Sequence, residues 1–236
     1  MKTNCALEYG ERGYVLLCGA VSSAAIDELL ENKMTLASDV CGGPFSDPNG
    51  PDLIDFYDKH RDLESQVYTG IRQKPWLEEF SKQPGVIDAV RQILGSDIGM
   101  FRKIVFRMDM PNWTEELAHW HQDFFYVKGN VDVVTAWIPL QDTTFLNGCI
   151  SVMPGSHSLG AVEHDIALGK KRIPSSIFNR EVKMIEMKKG DALLFSSLLL
   201  HSGNLNLSDT IRYSVQPRFT RLSDAVDDGM GGVVAL

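Results

Sequence analysis

No C-x-x-C pair occurs among the four cysteines of this 236-residue chain, Cys5, Cys18, Cys41 and Cys149. That excludes a zinc knuckle and a disulfide framework, and leaves free thiols in a reducing cytoplasm as the expectation. Long hydrophobic runs are missing too. The most apolar stretch, ALLFSSLLL at Ala192–Leu200, is far too short to span a bilayer. The opening MKTNCALEYGERGY holds no apolar core and does not read as a secretory signal. Basic charge is in deficit, with 23 Lys and Arg against 31 Asp and Glu, a net charge of −8. Such a chain has no bulk attraction for nucleic acid or an anionic membrane, so a small molecule is the expected partner. The sequence is silent on oligomeric state. Repeats and low-complexity segments are absent as well.

What is present divides in two. The first third reads as mostly helical. GYVLLCGAV at 13–21 is strand-like, and SSAAIDELLENKMTLAS then places Ile26, Leu29, Leu30 and Met34 at helical spacing behind a serine N-cap. CGGPFSDPNGPD at 41–52 is a loop by its Gly, Pro, Asp and Asn content. Two short helices follow between Pro75 and Gly95. From about residue 98 the segments become short and β-rich: GMFRKIVFRMDM, AHWHQDFFYV, DVVTAWIPL, CISVMPG, VKMIEMKKG, DALLFSSLLLHSG and TIRYSVQPRFT. Strands at this spacing suggest a sandwich or barrel. The reading is a single domain over 1–236, with helical support at about 1–97, a barrel at about 98–221 and a flexible tail at 222–236. The charged connection at 157–180 is long enough to act as a lid.

One stretch carries chemistry. In AHWHQDFFYV, strand alternation puts His119, His121, Asp123 and Phe125 on one face and Phe124 on the other. His121 and Asp123 then offer an imidazole and a carboxylate side by side. His201, at the end of an apolar strand, is the candidate third ligand. Two histidines and one carboxylate match the facial triad of non-haem Fe(II) oxygenases, which leaves three coordination positions open. H-x-D alone is weak evidence, because a surface histidine beside a solvated aspartate looks the same. Arg212, eleven residues after His201, adds to it. A guanidinium in a barrel core needs an anion, and its planar fork suits a carboxylate. An internal salt bridge with Asp191 or Asp209 would serve it equally well. Ser214 shares the face of Arg212, and Thr135 and Trp137 share a face of their own strand. His157 reads as a turn residue, and His60 and His164 sit in polar segments. Lys170, Lys171 and Arg172 either meet an anionic substrate or form a solvated cluster.

Taken in order, HQD at 121–123, TAWIPL at 135–140, NGCISVMPGSH at 147–157, KKGDALLFSSLLLHSGNLNLS at 188–208 and Arg212 resemble the phytanoyl-CoA dioxygenase family. ERGYVLLCGAVSSAAIDEL near the start resembles the opening strand and helix of that family. The resemblance implies a mainly β protein with flanking α-helices, a double-stranded β-helix of the jelly-roll, cupin-like kind. It implies Fe(II), with 2-oxoglutarate and O₂ as co-substrates, His121, Asp123 and His201 as metal ligands, and Arg212 as the anchor of the distal carboxylate. Trp137, Thr135 and Ser214 become further co-substrate contacts, and Phe125 and His119 candidates for the substrate. The implied reaction oxidises a C–H bond, releasing succinate and CO₂. Hydroxylation is the first expectation; desaturation, cyclisation and epoxidation use the same oxidant. Halogenases related to the family lack the carboxylate ligand, so Asp123 argues against halogenation. The residues leave two other classes open: a cupin-like metal isomerase or hydrolase, and a non-catalytic barrel. The substrate expectation is a small metabolite, such as an amino acid derivative or natural-product intermediate.

Overall fold

The computed structural model describes residues 5–45, 47–114, 117–127, 130–163, 165–167, 170–173, 177, 179–225 and 230–236, and for 165–167 and 170–172 the backbone alone. Six helices cluster in the first part: α1 Cys5–Arg12, α2 Ser23–Cys41, α3 Pro51–Lys59, α4 Arg61–Ile71, α5 Pro75–Phe80 and α6 Pro84–Leu94. Each end has a local cause. Pro51, Pro75 and Pro84 open helices α3, α5 and α6, where a missing N–H costs nothing. Gly42 ends α2 in the left-handed region, with its N–H on the Ser38 carbonyl.

The strands form two principal antiparallel sheets. The larger contains β1 Tyr14–Leu17, β2 Ile98–Phe101, β3 Val105–Asp109, β4 Val134–Pro139, β9 Ala192–Ser196, β11 Arg212–Gln216, β12 Arg218–Arg221 and β13 Val233–Ala235. Strands β11 and β12 are one run of chain interrupted at Pro217, which lacks the N–H a ladder needs. The first half pairs with β3 and the second with β2. The smaller sheet holds β5 Ile150–Val152, β8 Lys183–Ile185 and β10 His201–Ser202, in the order β10-β5-β8. A hairpin of β6 Asp165–Ala167 and β7 Lys170–Arg172 stands apart. This is a mainly β fold with flanking helices, the double-stranded β-helix of the jelly-roll class. No continuous ladder closes one sheet onto the other among the described residues.

Side-chain alternation assigns the two faces of the larger sheet. Phe106, Met108, Val134, Ala136, Leu194, Tyr213 and Val215 pack on the helices in the main hydrophobic cluster. The intervening residues look the other way. Trp137, Leu193 and Phe195 meet Ile150 and Val152 of the smaller sheet, while Arg107, Asp109 and Arg212 face a cavity. A sheet buried on both faces explains why its strands read as near-continuous apolar runs.

Three expectations are corrected. The tail expected to be flexible returns to the sheet as β13: Val234 pairs with Met100, and the Leu236 N–H reaches the Ile98 carbonyl. Residues 226–229 lie outside the described residues. The strand expected within 13–21 is β1, and it joins this sheet although its segment was assigned to helical support. AHWHQDFFYV is not a strand. His121 makes one bridge to His201, and the chain then turns through a short 3-10 helix at Asp123–Phe125. The cause lies between them. The fully buried Gln122 side chain donates to the Gly160 and Leu198 carbonyls at 2.8 and 2.7 Å and accepts from the Val162 N–H at 2.8 Å. Those bonds tie the segment down without a ladder. In the 157–180 connection, His164 and the side chains of Lys170, Lys171 and Arg172 lie outside the described residues.

Candidate active site

His121 and His201 face each other across the mouth of the two sheets. Their backbones exchange two hydrogen bonds, N–H to carbonyl, each 3.0 Å. Their rings lie 4.2 Å apart between centroids. The Nδ1 of His121 is 2.6 Å from the His119 carbonyl, and that of His201 is 3.0 Å from the Leu199 carbonyl. A carbonyl only accepts, so each Nδ1 carries a proton, and in the neutral imidazole Nε2 is the nitrogen with the lone pair. Both Nε2 atoms converge on Oδ1 of Asp123, at 3.7 and 3.9 Å. One donor atom from each of the three residues falls within 4.8 Å of the others. Burial, and next the proximity of His121, push the His201 pKa down to about 3, which keeps it neutral and able to ligate.

Asp123 is 2% exposed, so its charge needs partners. Arg218 supplies them in a fork: Nε donates to Oδ2 and Nη2 to Oδ1, both at 3.1 Å. The Thr135 hydroxyl donates to Oδ2 at 2.6 Å. Burial alone would raise the Asp123 pKa. Arg218, first by its charge and then by its hydrogen bonds, with the nearby His121 and His201, outweighs it and holds the carboxyl well below the usual range. Two imidazole lone pairs and one ionised carboxylate form a donor set that fits Fe(II) or a similar divalent transition ion.

The triad opens on a cavity of about 580 Å³. Strand alternation builds one wall of it. Val105, Arg107 and Asp109 come from β3, and Arg212, Gln216 and Arg218 from β11 and β12. The Arg212 guanidinium lies 5.2 Å from the Trp137 ring centroid, and both side chains line the cavity. Its ion pair is with Asp109, at 2.8 Å, not with Asp191 or Asp209. Asp191 is occupied elsewhere, accepting from the Gly19 and Lys188 N–H groups. The Tyr126 and His121 rings meet edge to face, 5.5 Å apart between centroids, and Tyr68, Leu117 and His119 also line the cavity. Gly148, also at the cavity, has φ +81°, and a Cβ there would lie 2.6 Å from the Asn204 carbonyl. Hence the Asn147-Gly148 turn needs its glycine.

The expected residues are therefore distributed unevenly. His121, Asp123, His201, Arg212, Trp137 and His119 line one cavity. Thr135 is buried behind Asp123 and bonds to it, away from the cavity lining. Ser214 accepts a 3.1 Å hydrogen bond from Arg212 Nη1 and is not among the residues lining the cavity. Phe125 does not line the cavity; Tyr126 does, because the 3-10 turn rotates the next residue inward. His157 sits in a 3-10 turn with Nε2 3.1 Å from the Gly10 carbonyl. Arg218, Arg107 and Asp109 were not anticipated. Their signal was available: in RYSVQPR and VFRMD, polar and apolar residues alternate.

A curated relative, the 1-deoxypentalenic acid 11-beta-hydroxylase of Streptomyces arenae, is 25% identical over 217 residues, spanning 85% of this chain and 73% of its own. Among solved structures, EctD from S. alaskensis with bound Fe superposes with a TM-score of 0.68 at 17% identity, over 98% of this chain and 80% of its own. The epimerase SnoN, in complex with Fe3+, alpha ketoglutarate and nogalamycin RO, gives 0.66 at 17% identity, over 92% and 82%. With the family model described as Phytanoyl-CoA dioxygenase (PhyH) matching residues 9–214, the chain belongs to the phytanoyl-CoA dioxygenase family and is a non-haem Fe(II)/2-oxoglutarate-dependent dioxygenase.

Proposed function

We propose that the protein hydroxylates a C–H bond of a small metabolite, with His121, Asp123 and His201 as the iron ligands and Arg212 as the anchor of the 2-oxoglutarate distal carboxylate. One observation carries this reading: two imidazole lone pairs and a carboxylate oxygen converge within 4.8 Å at a cavity that Arg212 also lines. When bound, iron supplies with 2-oxoglutarate and O₂ the oxidant that attacks the C–H bond, and succinate and CO₂ leave. The chain's own residues do the rest. Arg218 and Thr135 fix the Asp123 carboxylate with Oδ1 turned toward the two Nε2 atoms. The His119 and Leu199 carbonyls fix the ring tautomers. The Trp137 ring, its centroid 5.2 Å from the Arg212 guanidinium, keeps the anchoring wall dry, which strengthens a carboxylate–guanidinium pair. Tyr68, Tyr126 and Leu117 offer the substrate an entrance part aromatic and part aliphatic.

The relatives set the breadth of the substrate expectation. They include the deoxypentalenic acid hydroxylase and an L-proline trans-4-hydroxylase from Streptomyces griseoviridis. A natural-product intermediate or amino acid derivative fits that range and a cavity of about 580 Å³. Desaturation, cyclisation and epoxidation are other outcomes of the same site, decided by which substrate atom stands nearest the metal. Anaerobic protein given Fe(II) and 2-oxoglutarate should develop a weak visible charge-transfer band; iron binding without the band rejects the reading. A panel of small acids and natural-product intermediates, read by succinate release, then identifies the substrate. Asp123→Ala should abolish substrate-coupled release, and unchanged turnover would reject the ligand assignment.

A further inference from the structure

The β3–β11 ladder sets Asp109 directly opposite Arg212. The Asp109 carboxylate is shared between two guanidiniums. Arg107, two residues away on the same strand, donates through Nε to Oδ2 at 3.2 Å and through Nη2 to Oδ1 at 2.7 Å. Arg212 approaches the same Oδ2 with Nη2 at 2.8 Å. Arg212 is thus partly engaged. Its Nη1 donates to Ser214, and its buried Nε has no hydrogen-bond partner. A buried guanidinium N–H without an acceptor is costly, so Arg212 is held short of its full set of bonds. All three side chains of this cluster line the cavity.

We propose that Asp109 is an internal competitor for Arg212, and that Arg107 is the clamp that draws Asp109 away, so that this pair sets the affinity of the site for the co-substrate's distal carboxylate. The inference rests on Arg212 being that anchor. A carboxylate arriving at Arg212 meets a second carboxylate on the same fork. With Arg107 holding Asp109, two cations face two anions, and the wall is neutral once the co-substrate is bound. Without Arg107, the whole Asp109 charge falls on Arg212, and the incoming anion is repelled. With Asp109 neutralised, Arg212 turns its fork wholly to the ligand. The two residues therefore act as positioning groups of opposite sign. Arg107 works through Asp109 and not through a general positive field.

That last distinction makes the test decisive. The 236-residue chain is loaded anaerobically with Fe(II) and titrated with 2-oxoglutarate, following the charge-transfer band, and Mn(II)-loaded protein is titrated by calorimetry. A coupling of ordinary size for a partly buried charged pair predicts that Asp109→Asn tightens 2-oxoglutarate about tenfold and Arg107→Met weakens it about tenfold. In the Asp109→Asn background, Arg107→Met should then change the affinity by less than about twofold, since its target is gone. Arg107→Lys keeps the charge without the fork and should fall between wild type and Arg107→Met, which covers the case where Arg107→Met does not fold. Equal, additive effects in the double variant would show a mere field effect and overturn the proposal. So would unchanged affinities in both single variants while Arg212→Met weakens 2-oxoglutarate strongly. If Arg212→Met itself leaves the affinity unchanged, the anchor assignment fails.

Discussion

The two faces of β11 and β12 handle buried charge in opposite ways. On the cavity face stand Arg212, Ser214, Gln216 and Arg218. Each arginine there meets a carboxylate: Arg218 meets Asp123 and Arg212 meets Asp109. On the helix face stand Tyr213, Val215 and Phe219, and the fully buried amine of Lys33 from α2 meets Tyr213. Lys33 hydrogen-bonds to the Tyr213 hydroxyl at 2.9 Å and to the Met34 sulfur at 3.5 Å, and it lies over the Tyr213 ring at 4.8 Å. Burial pushes its pKa down to about 7, against the pull of Cys41 and Glu64. A cavity-facing charge stays ionised because an opposite charge was folded in beside it. The helix-facing amine, without such a partner in contact, moves its proton equilibrium. Only the first arrangement can be lent to a ligand without a change of protonation.

The comparison breaks most visibly at Arg218. Arg218→Met leaves the Asp123 carboxylate buried with Thr135 alone as a close donor. Removing one partner of a buried pair costs about 3–5 kcal/mol. A divalent ion replaces the missing positive charge, so protein saturated with Mn(II) should lose much less. Thermal melts of wild type and variant, with and without metal, check this. An equal loss in both forms would mean that the Arg218 side chain matters by packing alone. Metal affinity should also fall by about 10- to 100-fold, the usual cost of losing a group that orients a ligand.

Lys33 gives the next effect, and its sign follows from linkage. The unfolded chain holds this proton up to its ordinary pKa of 10.5, the folded chain only up to about 7. Below pH 7 both states are protonated and the penalty is constant. From pH 7 to 10.5 only the unfolded state binds the proton, so stability rises with pH, by up to about 1.4 kcal/mol per pH unit for one proton. The groups facing Lys33 are Tyr57, Tyr213, Glu64 and Cys41. Burial raises both tyrosines and Cys41 above their usual values, so none of these three loses its proton early in that window. Lys33→Met, close in volume, should stabilise the protein by a few kcal/mol at pH 6, and the gain should shrink steadily toward pH 10. Urea melts at four pH values decide it. A gain that does not vary with pH would mean that packing, not charge, is responsible.

The same two faces show what a reader of the sequence can recover. The triad was legible, although by a faulty route. Strand alternation in AHWHQDFFYV brought His121 and Asp123 together, whereas the chain forms a single bridge and a 3-10 turn. The i, i+2 spacing survives both conformations, but the inference about Phe125 does not, because Tyr126 takes that place. Trp137 and Arg212 line the cavity, although Thr135, on the same strand face as Trp137, does not. Arg218 was equally legible in principle, six residues beyond Arg212 and so on the same face. The partner of Arg212 was not legible. Asp191 and Asp209 lie nearby in sequence, whereas Asp109 is about a hundred residues away and meets Arg212 only through the β3–β11 register. Lys33 sits at the spacing of Ile26, Leu29 and Ala37, on the buried stripe of α2. A lysine at such a position ordinarily extends its amine to solvent; here α3, α4 and β11 close over it.

Thr135 offers the smallest and finest test of the two faces. Its hydroxyl is 2.6 Å from Asp123 Oδ2, a bond to an ionised group. The Tyr213 hydroxyl on the opposite face donates to the Pro48 carbonyl and receives the Lys33 amine. Thr135→Val and Tyr213→Phe each delete one hydroxyl and little volume. Bonds to charged groups contribute about 1.5–3 kcal/mol and neutral ones about 0.5–1.5 kcal/mol. At pH 9, where Lys33 has lost its proton, Thr135→Val should therefore be the costlier change without metal. Its cost should fall when Mn(II) is added, since the ion then shares in balancing the carboxylate. Tyr213→Phe should cost the same with and without metal, because nothing on the helix face senses the cavity. Metal-dependent loss at Tyr213 would show that the sheet transmits between its faces, and the separation of the two would have to be abandoned.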